Sequence, residues 1–389
     1  VDGGGSGIIE STANGTGRAN QQLSHGIDGH PCNNCEIKNI TLQNFYVHSS
    51  PADEGFDEVQ MTCILMSGSN WLVHDNTMHD AGWCINDFYD NGDTNVRVYR
   101  NNIYNVNHGF AAAGYPAVSA SNFYFYENHV HDYANWDTNG GGYHHDGVHG
   151  YGDVGANLTN LQIYNNLFDG NTGANFTSHI YLEQPTQPSA APSLTNWLVF
   201  NNVLDGSNSI GSFGVLGISG TVGGQAYNNT IFGANVNGDY CFLTNGSNAI
   251  FMNNIVSGCW AGIFQYHASP AVVLNNNVYA NSGACGVAYD FSANCYGTLA
   301  GWQAYSGQDA ASQKVANANL DGSYKPIAGS PVIGAGAILS GLGISALNSD
   351  KAGILRPTNS AWTVGAYSFG SSSVPVRPAA PTGVTVIVN

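Results

Sequence analysis

Short stretches of alternating apolar and polar residues recur along the chain, and each runs into asparagine. Residues 70–74, 95–99, 122–126, 160–163, 196–199 and 248–251 place β-branched, aromatic or leucine side chains at every second position. A period of two with these residue types predicts strands rather than helices. The units that follow are alike: Asp75-Asn76-Thr77-Met78-His79, Arg100-Asn101-Asn102-Ile103-Tyr104, Glu127-Asn128-His129-Val130-His131, Tyr164-Asn165-Asn166-Leu167-Phe168 and Phe200-Asn201-Asn202-Val203-Leu204. Looser copies follow at 228–232, 253–256 and 276–279. A second strand set, at 82–85, 146–149, 179–182, 214–217, 261–264 and 286–288, lies between them. Each period therefore holds two or three strands separated by sharp turns.

The units end at residues 79, 104, 131, 168, 204, 232, 256 and 279. An imperfect period of this length, built of strands, predicts a solenoid. Asparagine tolerates the left-handed bend of a tight turn, and its amide can pair with turn backbone and with the asparagine one coil away. Such a ladder satisfies polar groups that the turns would otherwise bury unpaired. Over roughly residues 35–290 the pattern resembles the right-handed parallel β-helix superfamily, which includes pectate lyases, polygalacturonase-like hydrolases and alginate epimerases. The expected fold is all-β: a right-handed parallel β-helix of about ten coils with an asparagine ladder and a C-terminal cap. Arg100 stands where the flanking coils have Asp75 and Glu127, which reads as a charge ladder within the scaffold. The unit ends His79, Tyr104, His131, Phe168, Leu204, Phe232 and Tyr279 are expected to form a lengthwise stripe on the outside.

The repeat fades after residue 290. A short helix is expected within 302–315, and the stretch from 330 to 367 reads as a closing segment over the last apolar layer. Residues 1–370 are expected to form one domain with an irregular N-terminal segment, and 371–389 a Ser/Pro-rich linker with a terminal strand.

Charge narrows the partners. Nine Lys and Arg face 26 Asp and Glu, a net charge of -17, which disfavours nucleic acid and anionic membranes. With 21 Tyr, 16 Phe and 7 Trp the chain suits a neutral or weakly charged glycan, bound through ring faces and polar groups. Eight cysteines suggest four disulfides, as in a secreted or periplasmic protein; 105 pairings are open, with Cys32 and Cys35 close in sequence and Cys63 and Cys84, Cys241 and Cys259, and Cys285 and Cys295 within or between adjacent coils. No apolar run is long enough to span a bilayer, no signal peptide stands at Val1, and a monomer is expected.

Two steps of the repeat are long, at 37 and 36 residues, so the middle coils carry insertions; in solenoids these gather on one face. They fall at 133–151 and 183–192, with an earlier one at 49–58. The first contains His144-His145-Asp146-Gly147-Val148-His149, the densest ionisable run in the chain. Adjacent coils lie about 4.8 Å apart, so carboxylates one or two coils apart reach the separation of a glycosidase pair. Asp146 with Glu183 or Asp87 is the expected acid/base pair, assisted by His145 and His149. His144, His108, His179, Trp136, Tyr143, Tyr181 and Arg97 are the expected substrate contacts. Asp87, Asp90 and Asp93 form an oxygen-rich loop compatible with calcium, although no cofactor is required. His144, His145, His149 and His179 form a second grouping of metal-ligating type. These features predict a polysaccharide glycoside hydrolase. A lyase using His, Tyr or Arg, with or without Ca²⁺, is the runner-up, and a non-catalytic carbohydrate-binding or adhesin-like β-helix is the third reading. The superfamily's polygalacturonase-type Asn-Thr-Asp, Asp-Asp and Gly-His-Gly motifs are not matched.

Overall fold

The computed structural model describes residues 1–14, 23–46, 61–134, 144–153, 155–173, 175–183, 195–209, 214–219, 224–244, 249–265, 272–290 and 292–370. Segments 49–58, 184–192 and 371–389 lie outside the described residues, as do Trp136 and Tyr143. The chain winds into a right-handed parallel β-helix; of the 28 strands among the described residues, all but Cys295–Tyr296, which runs antiparallel to Cys285–Asp290, pair in parallel with the equivalent strand of a neighbouring coil. Three faces result. The first stacks Leu72–His74, Thr94–Tyr99, Ser119–Tyr126, Asn157–Tyr164 and their successors. The second stacks the starts of Thr77–Tyr89 and Asn102–Gly114 with His129–His131 and Leu167–Asp169. The third stacks Thr62–Met66, the ends of Thr77–Tyr89 and Asn102–Gly114, His145–Gly152, Phe176–Glu183 and Leu216–Ser219. One apolar core runs through the inside.

The asparagine doublets divide their labour. The first residue of each takes the left-handed turn conformation, from Asp75 (φ 56°) and Arg100 (φ 53°) to Asn165 (φ 58°) and Asn276 (φ 54°). The second forms the buried ladder. Asn76, Asn101, Asn128, Asn166, Asn202, Asn229 and Asn254 each donate a side-chain N–H and their backbone N–H to the amide oxygen of the next, and the run ends at Asn277. The tail closes the series: Asn277 donates to Asp309 Oδ1 at 3.2 Å and to Ser312 Oγ at 2.8 Å. Trp302, on the helix Leu299–Ser306, anchors Asp309 by a 2.9 Å bond from its indole nitrogen.

The turn position explains its own variation. Along the C-terminal coils the tail lies over it, and Asn201, Asn228, Asn253 and Asn276 donate to the tail carbonyls of Ser349, Thr363, Ala337 and Ala335. On earlier coils the same position is charged. There Arg100 bonds Asp75 through two nitrogens at 2.7 and 2.6 Å, as the charge ladder requires.

The expected outer stripe is corrected. Ladder register aligns Phe168 and Leu204 with Met78, and Tyr279 with Val256, so all three point into the core. The units at 164–168 and 200–204 start one residue early relative to the ladder and the unit at 276–279 stops one short, whereas Phe232, in register with Asp205 and Ser257, keeps the outer position; in a strand one residue exchanges inside for outside. His79, Tyr104 and His131 do stack outside, with ring centroids 4.6 and 5.0 Å apart.

Three disulfides join Cys32–Cys35, Cys241–Cys259 and Cys285–Cys295, consistent with maturation in an oxidising compartment. Cys63 and Cys84 are both buried with their sulfurs in contact, placed for a fourth bridge. Among the described residues no helix is long and apolar enough to cross a membrane. The N-terminus is more regular than expected: Asp2–Glu10 is a strand beside Glu36–Gln43.

Candidate functional site

The third face carries the site, through three outward columns of stacked side chains. Trp83, His108, Asp146 and Ser178 form one, in register on successive coils. Asn86, Ala111, His149 and Tyr181 form the second; Phe88, Ala113, Tyr151 and Glu183 form the third. Between the first two columns each strand turns a corner and sends two residues inward. A Cβ on Gly109 would meet the Gly147 carbonyl oxygen at 2.5 Å, and one on Gly147 the His179 oxygen at 2.5 Å. Glycine at these inner corners keeps the coils close and brings His108, Asp146 and His149 together.

Asp146 is completely buried. Its Oδ1 accepts the Ser178 N–H at 2.9 Å. Its Oδ2 has no hydrogen bond but faces three imidazoles: His108 Nε2 at 3.3 Å, His144 Nε2 at 3.7 Å and His149 Nδ1 at 3.9 Å. His108 Nε2 and His149 Nδ1 are themselves 3.2 Å apart. These four donor atoms all lie within 4.8 Å of one another. The outer nitrogens are held as well. His108 Nδ1 meets Asn107 Oδ1, and the Asn107 amide donates to the His144 carbonyl at 3.0 Å. His149 Nε2 meets Glu183 Oε1 at 3.1 Å. Burial pushes the His108 imidazole down to about 3. Burial works to raise the Glu183 carboxyl, but His149 and Tyr181 outweigh it and hold the group below its ordinary range.

Aromatic rings wall this cluster. Trp83 packs on His108 at 4.7 Å between centroids, Tyr151 on His149 at 4.9 Å and Tyr181 on His149 at 5.5 Å. Phe88 stacks with Tyr115, whose ring is exposed, at 5.3 Å. Ala111 and Ala113 leave the floor low between them. Tyr151 and Glu183 are register partners on adjacent strands and stand on the same side. Burial, with Asp153 and Glu183 nearby, pushes the Tyr151 phenol up to about 12.

No family model matches the chain, and no curated protein matches it in sequence. The chemistry of the site rests on these side chains.

The structure brings His108, His144, Asp146, His149, Tyr181 and Glu183 together and places His145, His179, Arg97 and Asp87 elsewhere. His145 and Asp146 do not simply alternate, because the strand shifts register between them. His145 turns inward beside Tyr133 and Phe176, its Nε2 donating to the Thr172 carbonyl at 2.6 Å. His179 is buried among Phe168, Phe176 and Tyr133, and burial lowers it to about 4. The expected metal grouping of His144, His145, His149 and His179 is therefore split, and His108 and Asp146 take the places of the inward pair. Arg97 lies on the first face, over the Tyr124 ring, away from the cluster. Trp83 and Asn107 were not expected at the site. Their signal lies in register alone: Trp83-Cys84-Ile85, His108-Gly109-Phe110 and Asp146-Gly147-Val148 are the same three positions of successive coils.

The acidic loop is scaffold in its contacts. Asp93 Oδ2 accepts the N–H groups of Gly68 and Asp90 at 2.8 and 2.7 Å, and Asp90 accepts the Ser67 hydroxyl at 3.2 Å. Asp87 is fully buried on the inward side with Ile85 and Tyr89, and neither oxygen has a hydrogen-bond partner. Burial, then Asp93 and Asp90, push its carboxyl well above the usual range. A carboxyl raised in this way favours the fold below its unfolded pKa and loses that contribution as pH rises through the folded one. Asp87→Asn is therefore expected to be more stable than the parent at pH 8, by on the order of 1–3 kcal/mol, with the gap closing towards pH 4. Thermal unfolding at the two pH values checks this; equal destabilisation at both would contradict it.

A cavity of about 400 Å³ lies elsewhere, between the tail around Ile344 and the first face. Tyr124, Asn160, Gln162 and Gln225 line it, with no ionisable carboxylate or imidazole. It can hold a neutral group but offers no acid or base of that kind.

Proposed function

We propose that the chain is a polysaccharide-cleaving enzyme whose reaction centre is the Asp146–His149–Glu183 side of the third face, and that it cleaves by elimination next to a uronate. The observation that carries this reading is the side-by-side pair of Tyr151 and Glu183 above a buried imidazole–carboxylate cluster, with aromatic rings on either hand. A hydrolase pair needs two carboxyl groups reaching the glycosidic bond from opposite sides. Asp146 lies buried beneath imidazoles, and His149 stands between it and Glu183, so in this cluster Glu183 is the carboxylate within reach of a sugar. That favours the lyase reading over the hydrolase.

In the proposed reaction the Glu183 carboxylate removes the proton from C5 of the uronate. The C5–H electrons form the C4–C5 double bond, the C4–O bond breaks, and the leaving oxygen takes the Tyr151 phenolic proton. The proton on Glu183 then passes to the phenolate or to solvent, restoring both groups. No water enters the glycan. His149 holds Glu183 in place, and Tyr181 and Tyr115 offer faces for neighbouring sugar rings, with Trp83 buried beneath them against His108.

A panel of neutral and uronate-containing polysaccharides, followed for new reducing ends and for absorbance of unsaturated ends, tests the reading. Both signals are expected to rise together on a uronate polymer. Reducing ends without unsaturation would restore the hydrolase, and binding without either signal would favour the carbohydrate-binding module.

A further inference from the structure

We propose that His108 Nε2, His144 Nε2, His149 Nδ1 and Asp146 Oδ2 bind a divalent transition-metal ion of the zinc class. The first support is the direction of the lone pairs. The Asn107 amide donates to the His144 carbonyl, so its oxygen is the atom turned to His108 Nδ1, which must donate. Glu183 can only accept when ionised, so His149 Nε2 donates to it. Each ring therefore carries its proton on the outer nitrogen. The inner nitrogens, 3.2 Å apart, present lone pairs to each other and to the unbonded Asp146 Oδ2, 3.3 Å from His108. Three electron-rich atoms so disposed in a buried site call for a cation among them.

The spacing fits a metal. Zinc bonds to nitrogen and oxygen of about 2.0–2.2 Å set the edges of a tetrahedron at roughly 3.4 Å. Four edges here measure 3.2, 3.3, 3.7 and 3.9 Å. The wider two involve His144 and His149, the two edges from His144 to the other imidazoles are no longer than 4.8 Å, and the His144 side chain is 55 % exposed and free to move towards the others. Three imidazoles and one carboxylate suit zinc or a neighbouring first-row ion; calcium, which takes six to eight oxygens, is not suited. Glu183 on His149 and Asn107 on His108 are the outer partners that orient metal-bound histidines. The ion would also supply what the proposed elimination lacks. Arg97 lies on another face and Arg100 is committed to Asp75, so no described arginine attends the site to neutralise a uronate carboxylate. This role for the ion rests on the catalytic reading, whereas its binding does not.

The test uses the full chain, stripped with a chelator and dialysed, then titrated with Zn²⁺ and Co²⁺. About one ion per chain is expected, with Co²⁺ giving the visible absorption of a four-coordinate nitrogen–oxygen site. His144→Ala, whose side chain is half exposed, should fold as the parent does and bind more than about 100-fold more weakly; Asn107→Ala should lose about 10-fold. Zn²⁺ should raise the melting temperature of the parent but not of His144→Ala. Failure of the parent to retain either ion, or equal retention by His144→Ala, would overturn the site. Metal uptake without glycan cleavage would sustain the site and remove the catalytic reading. Cleavage by the stripped chain with no metal uptake would remove the site and leave the catalytic reading standing.

Discussion

Asn166→Leu is expected to unfold the middle coils under conditions where Asn165→Gly, one residue away, is tolerated. The Asn166 oxygen accepts the backbone and side-chain N–H groups of Asn128 at 2.9 and 3.2 Å. Its nitrogen donates to the Phe125 carbonyl and to Asn202 Oδ1, both at 3.0 Å. All of this is buried. Leucine matches the size but removes every bond, leaving at least the Asn128 N–H and the Phe125 carbonyl without partners in a dry core. Unpaired buried groups cost about 1–3 kcal/mol each, so a loss of roughly 3–6 kcal/mol follows. Because each coil depends on its neighbours, the damage spreads along the solenoid. Asn165 has a different task, a turn at φ 58°. Glycine adopts that conformation without a Cβ clash, so its effect stays within about 1 kcal/mol, whereas alanine there costs about 1–2 kcal/mol. Denaturant titration of the three variants checks the order; equal midpoints for the leucine and glycine proteins would break the ladder account.

The second large effect is chemical. Glu183→Gln keeps an oxygen for the His149 N–H but cannot take a proton, so turnover on the substrate polysaccharide is expected to fall by about 10²–10⁴-fold. KM and melting temperature should change little, since Glu183 is partly exposed at the site's edge. Tyr151→Phe is expected to lose turnover similarly without losing binding. A glutamine variant of parental activity would move the base elsewhere.

The fold was legible because the period-two strands and asparagine doublets are local and repeated. What the doublets do individually was not, since a turn residue and a ladder residue look alike until register is known. The same one-residue ambiguity misassigned Phe168, Leu204 and Tyr279. The gathering of Asp146, His149, His144, His108 and Glu183 was legible because charge is scarce and clustered. His145 and His179 were not separable from them by alternation, because the strand shifts register between His145 and Asp146 and the corner turns two successive residues inward. Trp83 contributes a ring from the coil before, visible only once the coils are stacked. Asp87 had the charge expected of a partner for Asp146, yet its strand turns it to the inside.

The most direct test of the proposed chemistry is cleavage of the uronate polysaccharide in water enriched in heavy oxygen, followed by mass analysis of the fragments. Elimination at Glu183 and Tyr151 predicts fragments that together have gained no water, one of each pair bearing a double bond and none carrying the heavy isotope from bond cleavage. Fragments that gain one water per break, with the isotope fixed at the new end, would contradict it.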